Sequence, residues 1–215
     1  MRTSLQVVAA PAYEPVSLAE ARRWLRLPLE AEDTDTANTS TLQLLIKAMR
    51  EDAENLTFRA YIQRTYRLNI DGWPLDDHYG TGIELPMPPA ASITHLKYVD
   101  SDGATQTLAT DQYVLHEELE PAKIIPADGV TWPTVRFQPN AVQVTYVAGY
   151  APGSPSDEAS NQEVMPGALR LWMQTKLATL YEQREQLIIG TIVAKLPRDF
   201  TDGLLDRLII GDRIF

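Results

Sequence analysis

Thr65-Tyr66-Arg67-Leu68-Asn69-Ile70 decides the fold, because the apolar period of the chain changes there. Tyr66, Leu68 and Ile70 alternate with Thr65, Arg67 and Asn69, which predicts a strand with one buried face. Immediately upstream, Leu42, Leu45, Ile46, Met49, Ala53 and Leu56 keep helical spacing and predict a long amphipathic helix.

Working back from that helix, residues 29–39 are rich in Glu, Asp and Thr and read as a polar connection. Before it, Ser17-Leu18-Ala19-Glu20 has the spacing of a capping box, so a first helix starts there with Leu18, Ala21, Trp24 and Leu25 on one face. Pro28 is expected to stop it.

Working forward, Asp71-Gly72-Trp73-Pro74 closes the first strand, and Pro86, Pro88 and Pro89 mark an irregular crossing. Residues 93–99 followed by Asp100-Ser101-Asp102-Gly103 read as a strand and hairpin turn. Further short strands are expected at 112–115, 123–125, 134–137 and 142–147, which together suggest a small antiparallel sheet or sandwich. Residues 151–162 form a linker, and Pro166 opens a helix whose apolar stripe is Leu169, Trp172, Met173, Leu177, Leu180 and Tyr181. Helices on both sides of the β region share a core only if that region is an insertion. The expected fold is therefore α+β: a helical bundle of 1–62 and 163–186, an inserted antiparallel β domain with linker at 63–162, and an extended C-terminal arm at 187–215.

The arm carries one apolar motif twice. Leu187-Ile188-Ile189-Gly190 recurs as Leu208-Ile209-Ile210-Gly211, and the sequence closes on Ile214-Phe215. Gly190, Pro197, Gly203 and Gly211 interrupt it, so one long helix is excluded and the apolar residues are expected to bury against another protein. The candidate docking residues are Leu187, Ile188, Ile189, Ile192, Val193, Leu208, Ile209, Ile210, Ile214 and Phe215. The competing reading is a C-terminal helical hairpin folded on its own domain, since Asp202 to Leu208 has the composition of a short helix.

Composition narrows the function. The 215 residues hold 44% hydrophobic residues, enough for a core, and no cysteine, which excludes disulfides, thiolate zinc sites and cysteine nucleophiles. Nineteen basic against twenty-nine acidic residues give a formal charge of -10, which argues against wrapping a phosphate backbone and suits a surface that DNA passes without sticking. The first dozen residues lack a secretory pattern, and no apolar run reaches the roughly 20 residues of a membrane helix, so a soluble, unexported protein is expected.

No constellation of catalytic residues emerges. Asp71, Asp76, Asp77 and His78 are the densest acid and imidazole group, but Gly72, Pro74 and Gly80 make a solvated loop the better reading. Asp100-Ser101-Asp102-Gly103 has its glycine too early for a calcium loop. His95 and His116 read as structural histidines, Gly149-Tyr150-Ala151-Pro152-Gly153 as a turn, and Trp24, Trp73, Trp132 and Trp172 as packing residues. The expectation is no enzyme, no cofactor and no metal.

The order of parts resembles the head-tail connector (adaptor, or head-completion) proteins of tailed bacteriophages and gene transfer agents, in the branch carrying a β insertion. The resemblance rests on Pro15-Val16-Ser17-Leu18-Ala19-Glu20-Ala21, on Ile46 to Leu56 with Arg50-Glu51-Asp52-Ala53-Glu54 leading into Thr65-Tyr66, and on Ile83-Glu84-Leu85-Pro86 before Pro88-Pro89 and Ile93. It continues through Val144-Thr145-Tyr146-Val147-Ala148-Gly149-Tyr150 and Pro166-Gly167-Ala168-Leu169 ahead of Tyr181-Glu182-Gln183-Arg184-Glu185. It implies a virion protein made in the host bacterial cytoplasm and placed in the neck between head and tail. Identical subunits, usually twelve, would form a ring under the portal, with the arms on the portal and the other face receiving a stopper or tail-completion protein. DNA would pass through the channel unbound, and no membrane is involved. Two alternatives stand beside it: a stopper or tail-completion protein of the same neck, and a non-viral protein- or carbohydrate-binding module.

Overall fold

The computed structural model describes residues 3–11, 13–28, 36–74, 82–150, 164–182 and 202–210. The fold is α+β, with three α-helices and eight strands among the described residues. The chain divides into two compact units, a β unit of Met1–Ala12, Phe58–Ala151 and Ile210–Phe215 and a helical unit of Tyr13–Thr57 and Pro152–Ile209.

In the helical unit, α1 spans Leu18–Trp24, α2 Thr36–Thr57 and α3 Gly167–Glu182. Ser17 caps α1 as expected, its hydroxyl accepting the Glu20 amide at 3.1 Å. The helix ends earlier than Pro28. Arg26 takes a positive φ of 55°, while the amides of Arg26 and Leu27 donate to the carbonyls of Arg23 and Arg22 at 3.1 and 2.9 Å. That is a Schellman ending, with arginine where glycine is usual, and it closes the helix before proline sterics act. On α2, Leu42, Ile46, Met49 and Ala53 are buried as the spacing predicts, whereas Leu56 is 48% exposed. The buried row continues instead to Thr57, whose hydroxyl donates to the Ala53 carbonyl at 2.7 Å. On α3, Leu169, Trp172, Met173 and Leu177 are buried, while Leu180 faces solvent. The Pro166 carbonyl accepts the Leu169 amide at the start of this helix, one residue earlier than the first-turn position expected for proline.

The strands of the β unit are β1 (Thr3–Val7), β2 (Arg64–Ile70), β3 (Ile83–Glu84), β4 (Ala90–Val99), β5 (Thr105–Leu108), β6 (Tyr113–His116), β7 (Lys123–Pro126) and β8 (Val142–Ala148). They form a five-stranded sheet of order β1-β2-β8-β4-β5 and a three-stranded sheet of order β3-β7-β6, antiparallel throughout. Register places Leu5, Leu68, Val144, Leu96 and Leu108 in one row across the larger sheet. Tyr66, Leu68, Ile70, Leu96, Val142, Val144 and Tyr146 on its inner face share one core with Ile83 and Ile124 of the smaller sheet. Each such aliphatic side chain contributes about 2 kcal/mol by leaving water. The Tyr146 hydroxyl donates to the Pro86 carbonyl at 2.6 Å, and burial, then the neighbouring Tyr66, pushes its ionisation far above the ordinary tyrosine value.

The strand expected at 134–137 does not form. The Arg136 amide reaches the Val99 carbonyl at 3.0 Å and Val135 packs against the core, but Phe137 is fully exposed and no ladder forms. Gly149 is a position that only glycine satisfies: its φ is +123°, and a Cβ would stand 2.5 Å from the Ile62 backbone.

Candidate docking site

Of the arm, residues 202–210 are described. Asp202–Leu204 forms one turn of 3-10 helix, and Leu205 behind it is 2% exposed. This turn packs on α3 within the helical unit. The Leu208 amide donates to the Leu205 carbonyl at 2.7 Å. Leu208 and Ile210 are half-buried, and Ile209 is 41% exposed. Leu187, Ile188, Ile189, Ile192, Val193, Ile214 and Phe215 lie outside the described residues, as do Asp76, Asp77 and His78. Leu205 was missed by the sequence reading because it belongs to neither copy of the repeated motif; its spacing of three from Leu208 was the available signal.

The platform that receives this turn is braced by charge. The Arg50 side chain is 2% exposed. Its Nε donates to Glu14 Oε2 at 2.7 Å, and its Nη1 to Glu54 Oε2 at 2.8 Å. Burial works against the guanidinium charge, but the hydrogen bonds and fields of Glu14 and Glu54 outweigh it and hold Arg50 above the ordinary arginine value. A second bridge joins elements far apart in sequence: Glu20 Oε1 on α1 accepts from Arg170 Nη2 and from Gln174 Nε2 at 2.7 Å on α3. These links set the packing of α1, α2 and α3 without any catalytic geometry.

In the β unit, Arg59 grips Glu120 through both guanidinium nitrogens, Nη1 to Oε1 at 2.9 Å and Nη2 to Oε2. The hydrogen bond from Arg59 holds the Glu120 carboxyl below the usual range against its partial burial. A shallow cavity of about 420 Å³ beside it is lined by Glu84, His116, Leu119, Pro121 and Lys123 among others. His116 Nδ1 lies 3.0 Å from Glu118 Oε1.

The tryptophans differ from one another. Trp172 is core, while Trp73 and Trp132 stack face to face at 4.4 Å with Tyr98 tilted 6.0 Å from Trp73. The Trp73 indole donates to the Pro133 carbonyl at 2.6 Å. The stack spends one face of each ring on the other, and the sequence separation of 59 residues concealed it.

Asp100 accepts the amides of Asp102 and Ala104 at 3.1 and 2.8 Å, so it organises the β4–β5 hairpin, as expected of a turn. Among the described residues no group of three or more His, Cys, Asp or Glu is placed to hold a metal ion, and no helix is long and apolar enough to cross a membrane.

No protein-family model matches this chain, and no curated protein does. Solved structures do. A chain from the neck of an empty gene transfer agent particle, computed with C6 symmetry, is 23% identical with a TM-score of 0.73 over 98% of this chain and 97% of that one. A chain from the virion of a native gene transfer agent particle is 24% identical with a TM-score of 0.71 over the same shares. A third, from the neck of a native particle computed with C12 symmetry, is 23% identical with a TM-score of 0.63. At these identities the shared property is the fold.

Proposed function

We propose that this chain is a structural virion protein of a gene transfer agent or tailed-phage neck, acting there as the head-tail adaptor. The observation that carries the reading is the shared fold over 98% of this chain and 97% of a neck chain, both units included. In that role identical subunits, twelve by the family resemblance, ring the DNA channel beneath the portal. The apolar arm grips the portal, and the opposite face receives a stopper or tail-completion protein. The physical character of the chain supports this. A net charge of -10 suits a conduit that must not bind its DNA, and the exposed Ile209 beyond the buried Leu205 offers an apolar side chain for a partner to cover.

The test is to mix the purified protein with a cognate portal ring and image the product by electron microscopy. The expected outcome is an added layer with the portal's symmetry, lost when the chain is cut after Gln186 while the truncate stays folded. A bare portal with intact protein overturns the adaptor reading and favours a stopper or a separate binding module. Unfolding of the truncate reassigns the arm to the core.

A further inference from the structure

The outer face of the five-stranded sheet carries two cations, Arg67 and Lys97, with His95 on the same face, and the ring reading leaves them unused. Register puts Arg67, Thr145 and His95 in one row and Asn69, Gln143 and Lys97 in the next. With strands about 4.8 Å apart, Arg67 and His95 stand roughly 10 Å from each other, with Lys97 beside His95 on the same face. Neither row holds a carboxylate, in a chain with a ten-charge acidic excess. Among the described residues neither Arg67 nor Lys97 makes a salt bridge. The centre of the face is also unsatisfied: Thr145 is 4% exposed, and its hydroxyl, like the Nε of Arg67, is buried without a hydrogen-bond partner.

The same unit carries a matching group. The connection between β6 and β7 exposes Glu117, Glu118 and Leu119, with its base fixed by the two-point grip of Arg59 on Glu120. Two adjacent carboxylates on this tethered loop, with Glu118 already 3.0 Å from His116 Nδ1, are opposite in charge to Arg67 and Lys97.

We propose that the Arg67, His95 and Lys97 face of one copy receives Glu117 and Glu118 of the next, forming the head-to-tail contact by which the ring closes. Such a contact joins two different patches of the same chain, which is what a cyclic assembly requires. A carboxylate-bearing second copy fits better than DNA, because the cations are confined to two rows and the chain as a whole repels phosphate. The inference rests on the ring reading above.

The test uses charge reversal in the full chain, with circular dichroism confirming that each variant is folded. Arg67→Glu with Lys97→Glu, and separately Glu117→Lys with Glu118→Lys, are each expected to lower addition to portal rings by roughly tenfold or more. An equimolar mixture of the two is expected to restore it, since alternating subunits then present opposite charges at every contact. Because the native chain has no cysteine, Lys97→Cys with Glu118→Cys gives a second readout: disulfide-linked oligomers on the portal under mild oxidation. Wild-type layers that tolerate both reversals and give no crosslinked oligomers overturn the contact while leaving the adaptor reading intact. Failure of the wild type to add to portals overturns the reading beneath it. Duplex DNA binding by the wild type that disappears in the Arg67→Glu, Lys97→Glu variant reassigns the face to phosphate and also overturns the proposal.

Discussion

The helical unit and the β unit are held together by different physics. Three helices with short apolar stripes rely on the buried Arg50 between Glu14 and Glu54 and on the Glu20 link to α3. The β unit closes instead around one continuous apolar core drawn from both sheets. Ionic links specify a geometry but tolerate little loss, since removing one partner strands a buried charge. An apolar core loses stability in proportion to what is removed, so it degrades gradually. The difference teaches that the helical unit, which holds Leu205 and the turn at 202–204, is the more brittle of the two.

Breaking that contrast at its most loaded point, Arg50→Ala is expected to cost about 4 kcal/mol, because Glu54 is left buried without its cation. Hydrogen exchange should show lost protection in α2 and α3 ahead of β2 and β8; uniform loss across both units would mean that the ionic brace is not local. Leu96→Ala, in the central row of the larger sheet and fully buried, should cost about 3 kcal/mol in denaturant unfolding and leave the helical amides protected until the β unit opens.

The smallest effect concerns pH. Burial, then the charges of Lys97 and Arg67, holds the His95 imidazole below its ordinary value of 6.5. The unfolded chain therefore binds the proton more readily, so this contribution to stability is complete above 6.5 and falls as pH drops below it. Urea midpoints of the free protein compared at about pH 7.5 and about pH 5.5 should separate less in His95→Gln than in the wild type. An unchanged separation would show that the two cations do not govern this histidine.

Much of the framework was legible because it is written in local periodicity. The Ser17 cap, the stripe from Leu42 to Ala53, the alternation of β2 and β8 and the Asp100 turn all follow from residues within a few positions of one another. β1 was not legible: every residue of Thr3–Val7 is exposed, so no alternation marks it, and it exists through pairing with β2, 59 to 67 positions away in register. The reverse error occurred at 134–137, where a short run between turn residues formed no strand. Arg26 ended α1 early because a left-handed residue needs no glycine when its carbonyl partners are in place.

The candidate sites divide the same way. The apolar repeat of the arm is plain in the residues, whereas the burial of Leu205, the Trp73–Trp132 stack and the two cations on the outer face are products of register and long-range packing. Sequence by itself determined the α+β class, the acidic character, the absence of thiol chemistry and the helices flanking the inner strands, because these depend on composition and near neighbours. Only the tertiary structure decided which polar side chains share a sheet face and which are left without partners, because cross-strand neighbours are set by hydrogen-bonded register between segments that no local pattern connects.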